Sequence, residues 1–262
     1  MPRIAPLVVF ALVVLAGGGT ARAQDAFEIQ VYDSGTAPPG GVGVEMHFNT
    51  VIVGDKQGEA PELATHHVSH LTLEPHVGIA EWCEAGAYIQ TAIRPDGGYD
   101  FAGLKLRFKA RWPRKLAGIV GLALNGELSS IPQEYEPHRF GSEIRPIIDF
   151  TWKRLYAAVN PIVSIDLAGS HAGHPQLEPA AKLSVRAAKW LALGAEYYGA
   201  YGPVDHFDAR DQQSNRLFGA LDFDHDWGPF KLAVNAGAGY DFTGPDKVIA
   251  KLIVGFDYER EK

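Results

Sequence analysis

The segment from Gly141 to Asp166, GSEIRPIIDFTWKRLYAAVNPIVSID, constrains the fold more than any other stretch of this chain. Its first arm alternates with a period of two. Glu143, Arg145, Ile147 and Asp149 fall on one face; Ile144, Pro146, Ile148 and Phe150 fall on the other. After Thr151-Trp152-Lys153-Arg154 the alternation resumes. Tyr156, Ala158, Asn160, Ser164 and Asp166 now oppose Leu155, Ala157, Val159, Pro161, Val163 and Ile165. Side chains on a strand point alternately to its two faces, so these arms predict an antiparallel hairpin with one apolar and one charged face. A soluble sandwich would carry the same alternation. The class is narrowed by the recurrence of the pattern along the chain, behind a secretory leader.

Residues 1–23 read as a signal peptide. Arg3 supplies a weak basic start, Leu7 to Ala16 is apolar, and Ala21-Arg22-Ala23 is a small-x-small cleavage site, placing the mature start near Gln24. An apolar run of about ten residues is too short to span a bilayer as a helix, which takes about 20. The lone cysteine, Cys83, excludes an internal disulfide in this exported chain. Loss of the leader removes Arg3 and Arg22 and no acidic residue, moving the formal charge from −7 to about −9. A chain so acidic, without a basic tract, has no electrostatic reason to bind nucleic acid. Its mean hydropathy, −0.08, is too high for disorder and too low for a helical membrane protein, and suits a barrel with one greasy and one wet face.

Phe27 to Tyr32 is short and alternating, then stopped by DSGTAPPGG; residues 24–41 therefore read either as a short strand or as a tucked-in N-terminal segment. From residue 42 a regular series predicts strands at 42–53, 67–77, 82–92, 101–110, 117–128 and 142–150. It continues with 154–166, 177–187, 190–201, 214–224, 230–240 and 248–258. Ala180 to Leu193, the nearest approach to a helix, alternates better at two than at 3.6. The connections after odd-numbered strands are polar and several are long; those after even-numbered strands are generally shorter. All five tryptophans, Trp82, Trp112, Trp152, Trp190 and Trp227, lie in or beside the shorter set. Long loops on one rim, short turns on the other and an aromatic belt between wall and water describe a transmembrane antiparallel β-barrel of about twelve strands, occupying residues 42–262, with short periplasmic turns and longer outer loops. A lipocalin-like soluble barrel does not account for five tryptophans on one rim. Pro75, Pro146, Pro161 and Pro179 fall on the outward side of their strands and are expected to mark bulges that bend the wall.

Several segments resemble those of uncharacterised proteobacterial outer-membrane β-barrel proteins: FEIQVYD from Phe27, LTLEPHVG from Leu71, EWCEAGAY from Glu81, GSEIRPI from Gly141, VNPIV from Val159 and KLIVGF near the C-terminus. The resemblance covers most of the mature chain. It implies a barrel in the bacterial outer membrane and brings no catalytic residues or substrate with it. One departure stands out. Such barrels commonly end on an aromatic residue read by the barrel-assembly machinery, whereas Phe256 and Tyr258 are followed here by Glu259-Arg260-Glu261-Lys262.

If the apolar face meets lipid and lipopolysaccharide, the polar residues line the lumen. These are Glu45 and His47, then His70, Glu74 and His76, then Glu84, and then Lys105, Arg107 and Lys109. Glu127, Glu143, Arg145, Asp149 and Asp166 follow, and after them Glu178, Lys182, Arg186 and Glu196. About twelve strands enclose a narrow interior, so many of these charges must pair across it. The leading expectation is a narrow channel or transporter for a small polar solute, passive or gated by a loop or the N-terminal segment. The runner-up is a closed structural or lipid-interacting barrel. The basic row of Lys105, Arg107, Lys109, Arg145, Lys182 and Arg186 favours anions, while Glu45, Glu74, Glu84 and Glu178 argue the other way.

Neither cofactor nor metal is expected. His47, His70 and His76 share a face, but no dense Cys/His spacing accompanies them, and imidazoles in a lumen more often bond neighbouring carboxylates. The acidic run from Asp205 to Asp211 lacks the glycine spacing of a calcium loop. A lipid hydrolase would draw on Ser170, His171 and His174, or on Asp205, His206 and Asp208; neither set sits in a barrel-hydrolase motif, and no enzyme is expected. Gly237-Ala238-Gly239 precedes no helix and is no nucleotide loop.

Overall fold

A computed structural model describes residues 25–58, 60–113, 115–136, 139–168 and 172–259. The leader and its cleavage site lie outside the described residues, as do Ser170 and His171. Twelve strands follow one another: β1 Val42–Val53, β2 Ser69–Ala80, β3 Cys83–Ile93, β4 Tyr99–Arg111, β5 Val120–Ser130 and β6 Phe140–Trp152. Then come β7 Leu155–Asp166, β8 Pro175–Ala188, β9 Leu191–Ala200, β10 Ser214–Trp227, β11 Phe230–Asp241 and β12 Val248–Tyr258. Every strand pairs antiparallel with its sequence neighbours, and β1 closes the ring on β12. Among the described residues the helical content is one 3-10 turn, Arg210–Gln212. The hairpin that opened the sequence argument is β6 and β7, paired from Gly141 with Asp166 to Trp152 with Leu155.

Alternation determines the two faces. On β4, Leu104, Leu106 and Phe108 are exposed, whereas Lys105, Arg107 and Lys109 are buried. The same inversion of ordinary burial runs round the wall, so the exposed large side chains are predominantly aliphatic and aromatic. Strands of about twelve residues at about 3.3 Å each, tilted by about 40°, give a wall roughly 30 Å tall, the thickness of a bilayer core.

The rim holding the start of β1 and the end of β12 also holds the turns after β2, β4, β6, β8 and β10. All five tryptophans stand exposed there. Phe230, Phe256 and Tyr258 extend the belt through ring contacts with one another and with Trp227. The opposite rim carries a second girdle that the tryptophan argument did not reveal, made of Tyr99, Phe101, Phe140 and Tyr240.

The prolines do not act as bulges. Val44 pairs with Pro75, Leu124 with Pro146 and Pro161 with Pro179 in unbroken register, and the pairs on either side of residues 145–147 keep the same offset. That offset sets Pro146 opposite Pro161, so three prolines form a row across β6, β7 and β8. Each has lost a donor, not shifted a register. The register shifts lie elsewhere, at Val51/Val53, Gly78/Ala80, Gln90/Thr91 and Arg186/Ala188.

Residues 27–32 form no strand. The segment from Asp25 to Gly41 runs inside the barrel, from beneath the long loops to the short-turn rim, where it bends into β1. At that rim Gly40 N–H donates to Gly78 O, and Gly78 N–H donates to Gly41 O, both at 2.9 Å. The buried apolar core of the molecule is therefore in the lumen. Ile29 and Val31 of the segment cluster with Ala158, Ile162, Ala180, Tyr198, Phe218 and Ile249 of the wall.

Candidate functional site: a lumen occupied by the N-terminal segment

The inner wall has two unlike halves. β7 to β10, with Ile249 of β12, present the apolar cluster just described. β1 to β6 present the larger share of the charge, while Lys182, Glu196, Arg216 and Lys251 stand on the other strands. Cross-strand register sets Glu45 opposite Glu74, Glu84 opposite Lys109, Tyr88 opposite Lys105, and Arg107 opposite Glu127. It also sets Glu127 opposite Glu143 and Asn125 opposite Arg145. The segment matches this division with its own period of two. Ile29 and Val31 turn to the apolar half, while Glu28, Gln30 and Tyr32 turn to the charged one. Phe27 fills a separate apolar pocket with Val68, Ala92 and Ala102, its ring edge-on to His70 and to Tyr135 of the loop after β5. Tyr135 donates to Asp100 at 2.5 Å, and burial together with that bond raises its phenol above the ordinary value.

A buried extended backbone must find partners for its polar groups. Here they are wall side chains, contributed by many strands. Asn49 donates to Ala26 O at 3.0 Å, Thr72 to Phe27 O at 3.2 Å and Lys251 to Ile29 O at 2.9 Å. Asn160 clamps Tyr32, accepting from its N–H at 2.7 Å and donating to its carbonyl at 3.1 Å. Further down, Ser34 N–H donates to Asp149 at 2.6 Å and Ala37 N–H to Glu84 at 2.6 Å. Two wall glycines make room. A Cβ at Gly78 would collide with the carbonyls of Ala37 and Pro38, and one at Gly121 with the hydroxyl of Ser34.

Side-chain charges are as closely matched. Lys105 pairs with Asp25 and stands 3.8 Å from both Glu28 and Glu127. Arg145 holds Glu143 at 2.6 Å and Glu28 at 3.1 Å. Arg107 bridges Glu74 and Glu84, each at 2.8 Å, and Lys109 lies 3.7 Å from Asp33. The Tyr32 ring sits 4.2 Å from the Arg145 guanidinium, and its hydroxyl bonds that of Tyr88, which donates to Glu127 at 3.2 Å. Across the lumen, Lys182 joins Glu196 at 3.0 Å and Asp222 at 2.6 Å, and Glu196 also holds Lys251. Glu178 accepts from Ser164 at 3.0 Å. Asp166 is half-buried at the long-loop end of β7. Arg186 is exposed at the short-turn rim beside Asp224, at 3.2 Å.

The histidines divide. His70 packs against Phe27, and His76 pairs with Asp257 at 3.0 Å. His47 is fully buried between Glu74 at 3.1 Å and Glu45 at 3.6 Å, and these three residues bring their donor atoms within 4.8 Å of one another. Arg107 and Gln30 already engage the same two carboxylates. Of the hydrolase candidates, His206 and Asp205 form an exposed pair at 2.9 Å on the long-loop side, where the imidazole holds the carboxyl below its usual range.

A cavity of about 330 Å³ opens beside the segment near the short-turn rim. Gln30, Tyr32, Asp33, Glu45, Glu74, His76, Glu84, Arg107 and Lys109 line it, with Lys231 and Asp257 at its edge. The sequence argument grouped the wall charges but left open what residues 24–41 do, and it treated the whole inward face as polar. A signal for the apolar half was present. Ile162 stands in phase with Asn160 and Ser164.

No family model matches the chain, and no curated protein matches it in sequence. Its fold is that of solved outer-membrane barrels. The COG4313 outer membrane channel from Pseudomonas putida F1 superposes with a TM-score of 0.56 at 11% identity, over 88% of this chain and 99% of that one. The KdgM porin superposes with a TM-score of 0.50 at 11% identity, over 84% of this chain and 99% of its own. The chain is thus a closed, twelve-stranded antiparallel β-barrel of the architecture found in outer-membrane channels.

Proposed function

We propose that this protein is a bacterial outer-membrane channel for a small polar solute, with the segment from Asp25 to Gly41 acting as its gate. One observation carries the reading. The lumen is occupied by a single extended segment that hydrogen-bonds to wall side chains and adds no ladder to the sheet. Its withdrawal leaves all twelve strand pairings intact and bares a passage that is charged on one side and apolar on the other. A purely structural barrel has no need of a removable filling, since apolar side chains pointing inward from its own strands would close it. The apolar outward face and the girdles at both rims support insertion in an outer membrane with its lipopolysaccharide, by way of the barrel-assembly machinery.

The dense pairing of lumen charges favours the second reading, a closed structural barrel. Planar-bilayer recording separates the two. The full chain is expected to show small, intermittent steps, and a variant lacking residues 25–37 steady and larger ones. Silence from both, in samples shown to be folded, sinks the channel reading.

A further inference from the structure

We propose that the wall sector formed by β4 and β6 is a binding track for elongated polycarboxylate solutes, and that the N-terminal segment occupies it as a ligand held in cis. The inference rests on the channel reading and names its substrate class. The segment carries three carboxylates, Asp25, Glu28 and Asp33, and each meets a wall cation: Lys105, Arg145 and Lys109. Arg107, between them, is satisfied by wall carboxylates alone, Glu74 and Glu84. Withdrawal of the segment therefore takes one carboxylate from each of three buried cations, leaving Arg145 with Glu143 at 2.6 Å and Lys105 with Glu127 at 3.8 Å, and takes none from the fourth. In the far sector, Lys182 and Lys251 keep Glu196, a wall carboxylate, whether the segment is in or out.

A buried cation that loses one of its carboxylates loses part of what offsets its desolvation, so the open state favours a guest that restores the lost carboxylates. The cations stand on rigid strands, where alternate residues on one face are spaced by about 7 Å. A single compact anion cannot reach all three, whereas a linear solute with carboxylates along its length can. Tyr32 adds to the description of the guest. Its ring lies 4.2 Å from Arg145, 5.4 Å from Lys109 and 5.7 Å from Arg107, so the same track also holds a flat ring among its cations. Oligouronates and acidic peptides both carry carboxylates along an extended chain, and only the first is built of rings.

The test is current interruption in planar bilayers, with a tri-uronate, triglutamate, trilysine and acetate added in turn. Both polycarboxylates are expected to block, and trilysine and acetate to block at least tenfold more weakly; preference for the tri-uronate over triglutamate identifies the ring-bearing source, and the reverse identifies the peptide. The full-length variant Asp25→Asn/Glu28→Gln/Asp33→Asn, whose segment no longer competes for the cations, should bind the preferred polycarboxylate at least tenfold more tightly. Adding Lys105→Gln and Arg145→Gln should abolish that gain, Lys105→Arg and Arg145→Lys should retain it, and Lys189→Gln on the exposed turn should leave block within twofold. Should the glutamine variants fail to fold, wild-type block must still weaken at least tenfold as salt rises from low to high ionic strength. Conductance with no preference for polycarboxylates, or block indifferent to the track variants or to salt, overturns this proposal alone. Absence of conductance in every folded variant overturns the channel reading beneath it.

Discussion

At the scale of single residues, the lumen is governed by side chains that substitute for a missing strand. Asn160 is the clearest case, giving both its amide hydrogen and its carbonyl to the backbone of Tyr32, as a neighbouring strand would. Tyr32 is then enclosed by guanidinium and ammonium groups and buried to 5% exposure. Truncating a buried aromatic side chain costs about 3 kcal/mol or more. Tyr32→Ala is therefore expected to raise the ratio of open to closed channel about a hundredfold, read as open probability, with no change in strand content by circular dichroism. Gly121→Val tests the same contact from the wall, because its side chain would occupy the space of the Ser34 hydroxyl. It too should raise open probability. An unaltered conductance in both variants would show that the segment does not gate.

At the scale of elements, one rule of alternation produces two results. In the strands it sorts lipid-facing from lumen-facing side chains. In residues 27–32 it sorts apolar contacts from charged ones within a lumen that is itself two-sided. Outward positions are held to the apolar side by the bilayer, since a charge there loses its water. Leu183 of β8 is 56% exposed on that face. Leu183→Arg is expected to destabilise the inserted barrel by about 2–4 kcal/mol if it lies near the midplane, seen as lower yield of folded protein in vesicles. Val163→Arg on β7 should behave alike. Tolerance of both would mean that the outward face does not meet lipid. The row of Pro146, Pro161 and Pro179 belongs to this scale too. On the outward side of an otherwise paired sheet, it removes donors without displacing the strands.

At the scale of the whole molecule, closure of β1 on β12 removes every free edge, and it is closure that makes such barrels resist detergent. The protein should migrate differently on a gel before and after boiling in detergent. Equal mobility in both samples would count against a closed barrel in solution. The asymmetry of the molecule is equally global. All five tryptophans stand on the rim where the segment leaves the lumen, and the longer loops stand on the rim where it begins, with Tyr135 leaning over Phe27.

Much of this was legible in the chain itself. A period of two repeated twelve times, tryptophans confined to the shorter connections and inward charges of both signs suffice for the barrel, its faces and its rims, because these properties depend only on local alternation and on spacing. Tertiary structure decided the rest. Strand boundaries moved by a few residues because pairing partners, not side-chain polarity, determine where a ladder stops. The prolines kept register because each could lose its donor at a site the wall tolerates. The role of residues 25–41 was hidden because six alternating residues make equally good sense as a strand. Only the enclosed lumen, with an apolar half for Ile29 and Val31 and cations for Asp25, Glu28 and Asp33, made burial without a ladder the better solution for them.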